Sequence, residues 1–326
     1  MPRIGREQGL NLGLALALLA APLVALALAE PFYITLATRI AILALAAVGL
    51  NLALGLGGMV SFGHAAYFGI GGYVAGIMAH HAFMGTPGPL GIPGTGQMLP
   101  IWAMAMVISG VVAAVIGALS LRTSGIFFIM ITLAFAQMLY YFALSWPAYR
   151  GEDGLPIFRR NAFPGLNTMR PIQFFAVVYV ALMLAIGVFA MLRESRFGAA
   201  LMAARQNPAR LAALGTAPFG VMLVGFAISG AITGLAGALM ADLTRFVSPA
   251  MMAWTLSGEL IVIILLGGTG RLFGPVAGAA LLVGFEVVFG GMTEHWQLLL
   301  GIVLLLVVLF ARGGLIGTLA GREGHG

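Results

Sequence analysis

Ten apolar stretches dominate this sequence, at about residues 10–29, 33–56, 59–80, 99–120, 124–145, 171–192, 218–241, 256–268, 272–290 and 295–311. A bilayer core needs about 20 such residues per helix. At that depth only helices and closed barrels satisfy their own backbone. The expected fold is therefore an all-α polytopic membrane protein of about ten spans, a single domain over 1–326. Only 8% of residues are charged, against about 25% in soluble domains.

Several chemistries are excluded. The 16 basic residues are all arginine and there is no cysteine. Without lysine there is no phosphate-loop lysine and no Schiff base. Without cysteine there are no disulfides, zinc–thiolate sites or thiol nucleophiles. No carboxylate or imidazole constellation supports catalysis, so no enzyme activity, cofactor or metal is expected. The net charge of +6 is spread over many loops, which fits a topology signal rather than nucleic-acid binding.

Arginine placement orients the spans. With the N-terminus inside, the cytoplasmic side receives Arg3, Arg6, Arg122, Arg193, Arg196, Arg205, Arg210, Arg271, Arg312 and Arg322. The outside receives Arg150, Arg159, Arg160, Arg170 and Arg245, and Arg39 lies near the outer end of the second span. This excess agrees with the positive-inside bias and puts both termini in the cytoplasm. The run from Leu10 to Ala29 has 20 residues, longer than the roughly 7–15 of a signal peptide, so a retained first helix is expected even though Ala27-Leu28-Ala29 resembles a cleavage site.

One polar island, 193–217, interrupts the apolar chain. Ser195 can cap a helix over Arg196 to Gln206. Asn207 is a good N-cap, Pro208 suits the first helical position and Gly215 the position past the end. Leu211 and Leu214 are three apart and would share a face. Two readings fit: a helix that docks into a groove on a soluble partner, or an interfacial helix resting on membrane lipid headgroups.

Other signals lie in the spans. Gly57, Gly58, Ser61, Gly63 and His64, followed by Gly69, Gly71 and Gly72, make an uninterrupted helix there unfavourable. Broken helices of this kind form transporter pathways, although close packing through small faces explains them too. Gly57–Ala65 is weakly echoed by Gly267–Pro275, a second candidate break in which Arg271 would anchor a turn. Mid-membrane carboxylates usually face the bundle interior. Glu286 is thus read as pathway lining or a contact between two membrane subunits, and Glu259 as lying near the wet outer end of its span. Asp242 and Arg245 could pair at the outer surface. The mixed charge of the loop from Tyr149 to Arg170 suits a soluble partner.

The island residues Ser195-Arg196-Phe197-Gly198-Ala199-Ala200, Ala204-Arg205-Gln206-Asn207-Pro208 and Ala213-Leu214-Gly215, with Phe226-Ala227-Ile228-Ser229-Gly230 and Gly234 to Leu239 after them, closely resemble permease subunits of branched-chain amino acid ABC transporters, the M-type in particular. The resemblance recurs at Leu50-Asn51-Leu52, Gly57 to Gly72, Ser124-Gly125-Ile126-Phe127, Thr132-Leu133-Ala134-Phe135, Gly151-Glu152-Asp153-Gly154-Leu155 and Val247-Ser248-Pro249. It continues at Leu266 to Gly270, Gly274-Pro275 and Arg312-Gly313-Gly314-Leu315, so it covers roughly 40–315.

The resemblance implies an ATP-driven importer of branched-chain or related amino acids in a bacterial inner membrane. Its partners would be a second, usually different, permease, two ATP-binding subunits and a periplasmic substrate-binding protein. It makes the island the coupling element, with Arg205, Asn207, Pro208, Arg210, Leu211, Leu214 and Gly215 as its residues. Gly57, Gly58, Ser61, Gly63, His64 and Glu286 are the pathway candidates. Related members resemble importers of urea, short amides and aromatic acids. The rival is a proton-coupled secondary transporter of small polar solutes working through Glu286, Glu259 or His64. A membrane scaffold without transport is a third reading, which an unbroken bundle at Gly57 to Gly72 would favour.

Overall fold

A computed structural model describes residues 4–28, 30–292, 296–310 and 313–320. Arg3, Ala29, Arg312 and Arg322, invoked above, lie outside them. The chain folds into helices: α1 (Ile4–Ala27), α2 (Pro31–Asn51), α3 (His64–Met84), α4 (Met98–Ser120), α5 (Ile126–Leu144), α6 (Pro171–Glu194), α7 (Arg196–Gln206), α8 (Pro208–Ala213), α9 (Pro218–Thr244), α10 (Trp254–Gly267), α11 (Gly274–Gly290), α12 (Trp296–Phe310) and α13 (Gly314–Ala320). Ten of these coincide with the ten apolar stretches, six are long and apolar enough to cross a membrane, and α10, α11 and α12 are shorter apolar helices. The protein is a multi-pass membrane protein.

Apolar composition sets the helices and proline sets several of their starts. Pro31, Pro171, Pro208 and Pro218 open α2, α6, α8 and α9, where the missing N–H costs nothing. The helices run alternately between two ends. Glu7, Gly55, Arg193, Arg205, Arg271 and Gly313 gather at one, here termed the island end. At the other, β1 (Leu155–Pro156) pairs antiparallel with β2 (Phe246–Val247), which ties the long loop before α6 to the end of α9.

α2 is the central helix, buried over most of its length, while α1 is peripheral. α9 packs against α2, α3 and α4. These approaches depend on missing side chains: a Cβ on Gly71 would strike the Gly234 carbonyl, and one on Gly237 the Phe68 carbonyl. Without a hydrophobic force between helices in lipid, such close packing holds the bundle. The break is therefore shorter than the glycine run suggests. It spans Gly57–Gly63, and Gly69, Gly71 and Gly72 sit within α3 as packing residues.

Candidate functional site

The island folds as its capping residues dictate. Ser195 Oγ accepts from the Gly198 N–H (3.1 Å) and opens α7. Asn207 Oδ1 accepts from the Arg210 N–H (2.9 Å) and opens α8. α8 ends in a Schellman motif: Gly215 N–H donates to the Ala212 carbonyl and Thr216 N–H to the Leu211 carbonyl, with Gly215 at φ +85°. This exit separates the two leucines expected on one face. Leu211, inside the helix, is buried at 6% exposure, and Leu214, beyond its last turn, is 78% exposed. Asn207, Pro208, Arg210 and Gly215 are also exposed. The outward face therefore comprises an arginine, a polar cap and one large apolar side chain.

Arg205 faces the opposite way. Its Nη1 donates to the Gly55 carbonyl at 2.6 Å, and its stem lies over Gly58. Gly55 belongs to a π-helical turn, Leu52–Leu56, that continues α2. A wide turn of this kind leaves carbonyls poorly served by the helix ladder. The last residue of the docking surface expected from sequence is thus a link from the island to the end of the central helix.

Beyond the π turn the chain breaks. Gly58 adopts φ +68°, a conformation that favours glycine. Ser61 Oγ accepts from Gly63 N–H (3.0 Å). Ser257 of α10 donates to the Phe62 carbonyl (2.8 Å) and accepts from Ala65 N–H (2.9 Å), so α10 serves the start of α3. Asn51 joins the two glycine-rich breaks. Its Nδ2 donates to the Arg271 carbonyl (3.1 Å) and its Oδ1 accepts from Gly270 N–H (2.9 Å). The second glycine-rich break thus packs on the end of α2 just before the first, and Arg271 pairs with Glu7 at 3.3 Å. Around this junction lies a cleft of about 520 Å³ lined by Glu7, Arg193, Arg205 and Arg271 among others.

His64 is fully buried. Ser229 Oγ donates its one proton to the Gly49 carbonyl (2.6 Å) and therefore accepts from His64 Nε2 (2.7 Å). His64 Nδ1 and the Tyr67 hydroxyl find no hydrogen-bond partner among the described residues. Both rings lie edge-on to Phe226, at 5.5 and 5.9 Å. His64 and Tyr67 form the first turn of α3, just past the break, and Phe226 of α9 closes on them.

Glu286 is not buried alone. It forms a forked pair with Arg39, with Nη2 to Oε2 at 2.9 Å and both Nη atoms 3.1 Å from Oε1. The side chains are 39% and 28% exposed for Arg39 and Glu286. A carboxylate and a guanidinium within two apolar spans were each evident in the sequence, and their opposite signs were the overlooked clue to a partnership.

At the far end Asp242 and Arg245 do not pair. Asp242 is fully buried, and its Oδ1 accepts from the Asn161 backbone (3.2 Å) and side chain (2.9 Å). Arg160 donates to the carbonyls of Asp242 (2.8 Å) and Thr168 (2.7 Å) and stacks on Phe174 at 4.2 Å. Burial lowers the pKa of its guanidinium, opposed by the Asp242 charge. The loop folds back over the end of α9, so its own groups take the place the sequence reading gave to Arg245.

Comparison with known proteins bears on this arrangement. The family model for the permease component of branched-chain amino acid transport systems matches residues 32–309. The high-affinity branched-chain amino acid transport system permease protein LivM of Salmonella typhimurium (strain LT2) is 27% identical over 323 residues, covering 90% of this chain and 73% of that protein. LivM of Escherichia coli (strain K12) is 27% identical over 327 residues with the same coverage. The autoinducer 2 import system permease protein LsrC of Escherichia coli (strain K12 / DH10B) is 26% identical over 228 residues, covering 66% of this chain and 64% of that protein. No solved structure matches.

Proposed function

The chain belongs to the family of permease components of branched-chain amino acid transport systems, and from that premise we propose that it is half of the pathway of an ATP-driven importer. A second permease supplies the other half. Two ATP-binding subunits dock from the cytoplasm, and a periplasmic binding protein delivers branched-chain or related amino acids. The island end is then cytoplasmic, with both termini on that side of a bacterial inner membrane.

The observation that carries this reading is the bond from Arg205 to the Gly55 carbonyl. It joins an exposed, partner-shaped island to the end of the central helix where that helix breaks. When the ATP-binding subunits close, they move α7 and α8 through Arg210, Leu214 and the Asn207-capped turn. Arg205 transmits the displacement to Gly55–Gly58. The Ser61–His64 turn shifts with it and opens the plug formed by His64, Tyr67 and Phe226. An interfacial helix resting on lipid would need no such link.

The test is uptake into proteoliposomes carrying the assembled complex, driven either by ATP or by an imposed proton gradient. The expected outcome is uptake that requires ATP and binding protein and ignores the gradient. Uptake that follows the gradient without ATP establishes a secondary carrier instead.

A further inference from the structure

Away from the helix ends, the described apolar helices carry three charged side chains: Arg39 on α2, Glu259 on α10 and Glu286 on α11. They come from three separate helices and converge. Arg39 and Glu286 form the forked pair, and Glu259 lies on α10, which packs against both α2 and α11. At about 1.5 Å per residue, Arg39 sits about 12 Å along α2 from Pro31, and Glu259 and Glu286 about 8 and 6 Å from the far ends of their helices. The cluster is thus recessed inside the apolar layer from the far end.

A bridge between two helices leaves the exposure of the pair unexplained. Charges at this depth are costly unless they face protein or water, yet 39% of Arg39 and 28% of Glu286 stay uncovered by this chain. α2 and α11 already pack directly on one another, and α11 closes on α10 where Gly278 meets the Ile263 carbonyl. Beside the pair the α11 surface is apolar: Phe289, one turn beyond Glu286 and on its face of the helix, is half-buried and stacks on Phe285 at 4.2 Å. One guanidinium, two carboxyl groups and an apolar surface complement a zwitterion with a hydrocarbon side chain.

We propose that Arg39, Glu286 and Glu259 form a station for the amino acid on its way through the membrane. The substrate carboxylate takes Arg39 in a forked bond, its ammonium group takes Glu286 with Glu259 on the neighbouring helix, and its side chain lies along Phe289 of α11. The empty station closes on itself as the Arg39–Glu286 pair. A zwitterion opens that pair by exchanging partners, so neither Arg39 nor Glu286 is left without an opposite charge. This rests on the importer reading and adds to it the residues that handle the substrate.

The test uses the complete complex with its binding protein, radiolabelled leucine and the double variant Arg39→Met/Glu286→Met. Replacing a structural ion pair by apolar residues is often neutral, so a merely bridging pair predicts uptake within about twofold of wild type. A station predicts uptake down by at least about tenfold, the worth of one charge-assisted hydrogen bond, while binding-protein-stimulated ATPase activity and subunit assembly persist. Arg39→Lys, which keeps a cation for the carboxylate, recovers a large part of the loss. Normal uptake by the double variant overturns the proposal. If the double variant does not assemble, Glu286→Gln decides: assembled complex with stimulated ATPase and normal uptake overturns it, and lost uptake upholds it. A wild-type complex with no ATP-driven leucine uptake removes the importer reading itself, a result visible before any variant is made.

Discussion

The two ends of the bundle use the same device to different effect. At the far end Arg160 donates to backbone carbonyls of α9 and its own loop, stacks on Phe174, and lies by a buried Asp242 whose Oδ1 accepts twice from Asn161. At the island end Arg205 donates to the Gly55 carbonyl from a largely exposed segment. One arginine sits half-buried in a network of several bonds. The other is nearly the whole polar connection between two elements. Elements with few buried contacts open locally at low cost, so the far end is built to stay fixed while the island end can move against it.

The sharpest way to break this contrast is to weaken the fixed end. Asp242→Ala orphans the two buried Asn161 donors, at a cost of about 1–3 kcal/mol. The expected result is a clear fall in the thermal unfolding midpoint of the purified complex, with ATP consumed per solute unchanged in the surviving fraction. An unchanged midpoint with impaired coupling would reverse the roles assigned to the two ends.

Arg205→Met is expected to act at the other end and less on stability. The thioether stem still covers Gly58, while the charge-assisted bond to Gly55, worth about 1.5–3 kcal/mol, is lost. ATP hydrolysis by the assembled complex should persist and uptake per ATP should fall several-fold. Equal loss of hydrolysis and uptake would make Arg205 an assembly residue and leave the link without function. A smaller step is Asn207→Ala, which removes the α8 cap at a cost of about 1 kcal/mol. Hydrogen exchange at Arg210 and Leu211 should accelerate, and Asn207→Ser should restore it.

Much of this was legible in the chain because local chemistry wrote it. Ser195, Asn207, Pro208 and Gly215 mark the bounds of α7 and α8 through capping alone, and the ten apolar stretches mark the helices. What was hidden depends on partners distant in sequence. Arg205 lies 150 residues from Gly55, and Asn51 lies 219 from Gly270. Arg39 and Glu286 are 247 apart. No periodicity reports such pairs. Leu211 and Leu214 failed for a local reason: the three-residue rule holds only inside a helix, and α8 stops between them. Asp242 and Arg245 failed because α9 ends at Thr244 and Arg245 adopts a left-handed conformation, which turns it away.

The smallest structural change carries the most pointed functional test. Leu214 is 78% exposed and takes no part in the core of this chain, so Leu214→Asp should leave stability within about 0.5 kcal/mol of wild type. An apolar side chain on an exposed turn, beside Arg210 and after a capped helix, has value only if something covers it, as anchor residues are covered at the centre of an interface. The expected result is an unchanged unfolding midpoint for the isolated permease, with weakened capture of the ATP-binding subunits and loss of ATP-driven uptake. If capture and uptake both survive, the island rests on lipid and the moving end must be driven from elsewhere. If the midpoint falls as far as it does for Asp242→Ala, the two ends are equally built in and the contrast between them fails.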